Sequence, residues 1–138
     1  PDVKMFVNST QQIWTYYTTE PTTFYCKVDQ MLRMSVSTIF FYRRHMDSEK
    51  ERKELLEGIF VTDAANVMLV GTPGRKEQTN EALLYASPDQ LCGIFKVQRL
   101  NDSTEWHELR VKYPSAPMSP DEGCRNIFLA LQQKYYTP

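Results

Sequence analysis

What the 138-residue chain lacks narrows it quickly. No apolar run approaches the roughly 20 residues that cross a bilayer, and no stretch has the pattern of a signal peptide. A soluble or already processed chain without membrane insertion is expected. Charge of one sign is missing too. Sixteen basic against 17 acidic side chains leave a net −1, too weak a field to gather nucleic acid or an anionic membrane over distance. Histidine is scarce, with only His45 and His107, and neither HExxH nor CxxC spacing occurs, so no metal site is expected. A GxSxG elbow is absent. The stretch from Gly71 to Lys76 lacks the spacer and the Lys-Ser/Thr ending of a phosphate loop and reads as a hairpin turn. No catalytic residue and no cofactor are therefore expected, and the chain is read as a binding protein, not an enzyme. Five glycines and eight prolines, without repeat or Gly/Ser-rich linker, fit one domain over residues 1–138.

Aromatic residues are plentiful instead: eight Tyr, seven Phe and two Trp, a content that suits half-buried pleated surfaces. Short apolar or alternating runs separated by turn residues predict eight consecutive strands. They run Gln12 to Thr19, Thr23 to Met31, Met34 to Arg44, Leu55 to Thr62, Val67 to Val70, Ala82 to Ala86, Leu91 to Leu100 and Glu105 to Tyr113. The almost wholly charged stretch from His45 to Glu54 reads as a solvated hairpin tip. Near the end the period changes. Ser119 can cap a helix with Pro120 at its first position and Glu122 completing a capping box. Cys124, Ile127, Phe128, Leu131 and Tyr135 then share one helical face. The expected architecture is all-β: an eight-stranded antiparallel up-and-down barrel with a C-terminal α-helix on its outside. Such a barrel can hold one small ligand or be filled by its own side chains.

Three cysteines suit neither a reduced nor an oxidised protein on count alone. Cys92 opens the seventh strand and Cys124 lies on the apolar face of the helix. A bridge between them would staple helix to sheet and contribute roughly 3 to 4 kcal/mol. Three reduced cysteines in a cytosolic protein is the alternative. Cys26 has no obvious partner, and one beyond Pro138 is expected. Two N-glycosylation acceptors, at Asn8 and Asn101, accompany them, the second in the predicted turn between strands seven and eight. Cysteines and acceptors together favour a secreted, extracellular setting.

Strand alternation places Trp106, Glu108 and Arg110 on one face, and His107, Leu109 and Val111 on the other. If Cys92 faces the helix, Gly93, Phe95 and Val97 face inward. The third strand splits into Ile39, Phe41, Arg43 and Phe40, Tyr42, Arg44, but a one-residue register error exchanges such faces. Either the aromatics are core packing, or they line a cavity with a few convergent polar groups, as small-molecule sites do. On the second reading Phe41, Tyr85, Phe95 and Trp106 are candidate walls, and Glu108 and Arg110 candidate polar determinants.

The succession Trp14, Cys26, Cys92 with its following strand, Glu108-Leu109, Cys124 and the closing Tyr135-Tyr136-Thr137-Pro138 resembles the tick salivary lipocalins, the group that includes the histamine-binding proteins. The resemblance covers nearly the whole chain. It implies the barrel with an outer helix, a Cys92–Cys124 disulfide, and a Cys26 bridge to a cysteine beyond Pro138. It further implies a secreted, monomeric scavenger of host mediators such as amines, leukotrienes, sterols or complement protein.

Two positions depart from the amine-binding pattern of that family: Gly93 stands where an Asp is expected, and Arg110 where an aromatic is. A buried ammonium needs an opposing carboxylate and gains from an aromatic face. Arg110 beside Glu108 would repel it and could meet a hydroxyl or carboxylate instead. The expected ligand is therefore a small hydrophobic one: a sterol such as cholesterol, as in the japanin type, which modulates dendritic cells, or a fatty acid or eicosanoid. The expected consequence is dampened host immunity. Amine capture through Glu108 is the second reading. A third is a module whose loop from Arg43 to Glu54 contacts a host immune-cell receptor.

Overall fold

The computed structural model describes residues 1–113 and 119–136, the last two in backbone only. Eight strands run β1 Gln12–Thr18, β2 Tyr25–Met34, β3 Thr38–Asp47, β4 Lys50–Phe60, β5 Val67–Gly71, β6 Glu77–Ala86, β7 Cys92–Arg99 and β8 Glu105–Tyr113. Each pairs antiparallel with the next, and β8 returns to β1, with Trp14 opposite Val111. The result is the expected closed up-and-down barrel, which leaves no sheet edge. Helix α1, Val3–Val7, precedes it and helix α2, Glu122–Tyr136, follows.

Strands β3 and β4 are longer than their apolar patterns predict. They stay paired through the charged stretch to Asp47 and Lys50, and turn on Ser48 and Glu49, both with positive φ, the geometry of a tight hairpin turn. The expected open tip is thus mostly strand, because its ladder extends beyond the core into water, where neither face has to be apolar. Strand β6 likewise begins at Glu77 and not at Ala82.

Helix α1 was not predicted. Asp2 caps it, its Oδ1 accepting from the backbone N–H groups of Lys4 (2.9 Å) and Met5 (3.3 Å), and Val3, Phe6 and Val7 are buried. Val3 N–H donates to the Ala65 carbonyl and Lys4 Nζ to the Val36 carbonyl. Both acceptors lie in connections at the same end of the barrel, so α1 plugs that end. Phe6 meets Phe95 edge-on at 5.6 Å.

The barrel wall separates two apolar clusters. Inside, Phe6, Phe41, Met68, Leu83, Phe95 and Trp106 belong to the larger one. Outside, Cys92, Ile94, Leu109, Val111, Cys124 and Phe128 form the seat of α2. Cys92 and Cys124 are joined in a disulfide, with Cα atoms 6.4 Å apart. The helix cap differs from expectation: Asp121, not Ser119, caps α2, its Oδ2 accepting from Cys124 N–H at 3.0 Å. The predicted place of Tyr135 on the apolar face concerns a side chain outside the described residues.

Candidate functional site: a cavity over an ionic floor

At the end opposite α1, residues of the connections 19–24, 72–76 and 100–104, with His45 and Glu54 of the β3–β4 hairpin, line a cavity of about 510 Å³. Leu56, Val70 and Trp106 give it apolar wall, and Lys27 and Arg43 reach it from below. Phe24 and His45 stack at its mouth with ring centroids 4.2 Å apart. The lower half of the barrel is largely packed, by Phe6, Leu83, Phe95 and Met68, beside a small cavity of about 20 Å³ lined by Val7, Ile13, Met31 and Ile39 among others.

Between cavity and plug lies a chain of ion pairs. Arg43 Nε and Nη2 donate to the Asp29 carboxylate at 2.8 and 2.9 Å, and Arg43 Nη1 and Nη2 donate to Glu81 at 3.0 and 3.1 Å. Arg110 Nη2 donates to the same Glu81 at 2.8 Å, while Arg110 Nε donates to Glu108 at 2.9 Å. On the other Glu108 oxygen, Lys27 Nζ (2.5 Å) and Trp106 Nε1 (2.8 Å) donate. Three cations face three carboxylates. Each arginine also lies over a ring, Arg110 on Phe95 at 4.1 Å and Arg43 on Phe41 at 5.2 Å.

Buried charge survives only when paired and hydrogen-bonded, and the ionisation of this group shows it. Burial pushes the Glu81 carboxyl up, but Arg43 and Arg110 outweigh it and hold the group well below the usual carboxylate range. Glu108 feels the same desolvation, opposed by Lys27 and Arg110, and falls to about 2. Burial would strip the proton from Arg110; Glu108 and Glu81 reverse that and raise its pKa. Glu81, Glu108 and Arg110 are therefore charged at physiological pH.

The six residues predicted from sequence separate into three places. Trp106 forms cavity wall. Phe41, Phe95, Glu108 and Arg110 point inward but sit in the floor and the packed core beneath it. Tyr85 lies outside, against the cluster under α2. A shift in the β6–β7 register between Leu83 and Tyr85 inserts a residue, and such a bulge exchanges the faces beyond it. Arg43, expected on a receptor-facing loop, is directed into the barrel. Lys27, Asp29 and Glu81 were missed. The signal available was an isolated charge at an alternating position of a strand, although Glu81 precedes the strand that the apolar pattern predicts, Ala82 to Ala86, and belongs to β6 only because that strand starts at Glu77.

Gly93 is where an inward side chain is replaced by the plug. A Cβ there would stand 2.8 Å from the Phe6 ring. Cys26 is exposed and free among the described residues, with φ 55°. Asn8 and Asn101 are both exposed, Asn8 at the end of α1 and Asn101 on the cavity rim.

Barrel, outer helix and one-ended cavity together define a lipocalin fold. No protein-family model and no curated protein matches the sequence. Among solved structures the chain is similar to a siderocalin, Ex-FABP, described as functioning through dual ligand specificities. The match has 12% identity, covers 91% of this chain and 85% of that one, and has a TM-score of 0.66. That likeness is one of fold. It does not reach the tick salivary group, which remains a resemblance carried by residues.

Proposed function

We propose that this protein is a non-enzymatic carrier that holds a small, mainly apolar molecule in the mouth-side cavity. The observation that carries the reading is a closed barrel with a cavity of about 510 Å³ at its open end, inside the roughly 300–1,000 Å³ typical of small-molecule sites. Leu56, Val70 and Trp106 would take the apolar body, and affinity would come chiefly from area removed from water. The floor offers no surplus charge, so a neutral hydroxyl suits it better than an ion, and a ligand carboxylate would instead have to be met nearer the rim, where Lys76 lines the cavity. A sterol, fatty acid or eicosanoid meets that description, provided that it is compact or folded, because the largely packed lower half stops a chain extended along the barrel axis.

Amine capture fits less well. Glu108, the carboxylate an ammonium would need, already carries Lys27, so a ligand amine would have to displace a tethered one. Secretion agrees with the disulfide, and a role in dampening host immunity rests on the resemblance to the tick salivary lipocalins alone.

Mass spectrometry of lipids extracted from the purified protein, with titration of Trp106 fluorescence by sterols and fatty acids, tests the proposal. A co-purifying lipid and saturable quenching are expected. An empty barrel that binds none of them overturns the reading, and micromolar binding of histamine or serotonin by calorimetry replaces it with the amine alternative.

A further inference from the structure

We propose that Asn101 carries an N-linked glycan that stands on the rim of the cavity and restricts access to it. The acceptor triplet is Asn101-Asp102-Ser103, in the turn between β7 and β8. Its neighbours are held. Ser103 N–H donates to the Arg99 carbonyl at 2.9 Å, Leu100 N–H to the Gln78 carbonyl at 2.9 Å, and Thr104 N–H to Asp102 Oδ1 at 2.9 Å. Arg99 Nη1 adds a bond to Asp102 Oδ2 at 3.3 Å. The Asp102 side chain is therefore spent on the turn itself. Asn101 is exposed, and among the described residues its amide has no hydrogen-bond partner, yet it contributes to the cavity lining beside Leu100 and above Trp106. Anything attached to its Nδ2 begins at the opening and is bulky and hydrated.

The second acceptor supplies an internal control. Asn8 is exposed at the C-terminal end of α1, the plugged pole, so a glycan there lies a barrel length from the mouth. Only the Asn101 glycan bears on the cavity.

In the transfer, Asn101 Nδ2 forms a bond to the anomeric carbon of an oligosaccharide carried on a polyprenyl diphosphate. The bond from that carbon to the diphosphate oxygen breaks, the lipid diphosphate leaves with the electron pair, and the amide nitrogen loses one proton. The inference rests on the secreted reading above, since the donor belongs to the secretory pathway. It does not depend on the identity of the ligand.

The test is expression through a eukaryotic secretory pathway, glycopeptide mass mapping, and acrylamide quenching of Trp106. A Trp14→Phe background removes the other indole, and the wild-type chain, before and after enzymatic trimming to the first sugar, needs no substitution. An occupied Asn101 is expected, with the quenching constant about two-fold lower in the glycosylated protein because the sugar is bulky. Asn101→Gln and trimming should both raise the quenching constant to that of the unglycosylated chain, and Asn8→Gln should leave it unchanged. An unmodified Asn101 in secreted protein overturns the proposal, as does an occupied one whose removal leaves quenching unchanged. Because the quencher needs no ligand, a barrel that binds no lipid refutes the carrier reading separately.

Discussion

At Gly93 the absent side chain is what admits the plug. Its missing Cβ would lie 2.8 and 2.9 Å from two atoms of the Phe6 ring and 3.0 Å from Leu83 Cδ1, and neither group has open space to retreat into, both being fully buried. Gly93→Ala should therefore destabilise the barrel by about 1–3 kcal/mol, as overpacked cores do. Phe6→Leu in the same chain should recover part of that loss, and chemical denaturation of the four proteins of the cycle measures it; a neutral Gly93→Ala would refute the clash. Lys112 also reaches the same ring, its ammonium 4.3 Å from the Phe6 centroid. Burial lowers its pKa to about 8, with Asp89 opposing. A lysine that binds its proton less readily when folded detracts from stability at neutral pH, and stability rises as the pH climbs from about 8 toward its unfolded value. The wild type should thus gain stability over that interval relative to Lys112→Met, measured as urea midpoints at matched pH; parallel curves would contradict it. Neither residue announced its role in the sequence. Gly93 looked like a lost carboxylate, and only the unpredicted α1 explains it.

Strand β7 and helix α2 show how an element's neighbours, more than its own pattern, decide whether it can be read. The inward set Gly93, Phe95, Val97 followed from placing Cys92 outward, and both sets fall as alternation requires. Where a strand carries a bulge or runs past the core, the pattern fails. Tyr85 changed faces at a bulge in β6, and the β3–β4 ladder continued through charges that no burial demands. A five-residue helix such as α1 is too short to show a period at all. For α2 the legible part was Cys124, Phe128 and Leu131 of its expected apolar stripe, from which Ile127 departs by being exposed, and the energetic part is the disulfide. It closes a separation of 32 residues, for which the chain-entropy estimate is about 3–4 kcal/mol. Replacing Cys92 and Cys124 together by Ser should lower stability by an amount of that order, while in a Trp14→Phe background Trp106 keeps its native fluorescence, since the helix seats outside the wall, against Trp14, and the cavity inside. Loss of the Trp106 signal together with the helix would show that the barrel cannot stand without its strut.

Across the whole molecule, one ionic chain ties four strands together through the barrel interior. Asp29 and Lys27 come from β2, Arg43 from β3, Glu81 from β6, and Glu108 and Arg110 from β8. Such a floor separates the open cavity from the plugged half, and it engages Glu108 and Arg110, expected as polar determinants for a ligand, with each other and with Lys27 and Glu81. Its stability has a definite pH sense. A carboxylate whose folded pKa is depressed contributes fully above its unfolded value and loses that contribution as the pH falls toward the folded one. For Glu108 the interval runs from 4.5 down to about 2, and Glu81, held well below the usual carboxylate range by Arg43 and Arg110, adds a loss of the same sign. The barrel should weaken steadily below pH 4.5. Glu108→Gln removes one proton-binding site from this process and leaves Lys27 and Arg110 without their shared counter-charge. Breaking one partner of a buried pair costs about 3–5 kcal/mol. The variant should therefore be less stable at neutral pH by that order yet shallower in its acid dependence, so that the two proteins converge as the pH drops. Urea midpoints from pH 7 to 2, followed by tryptophan fluorescence, measure both effects, and two acid limbs of equal slope would mean that Glu108 does not hold its charge in the folded barrel.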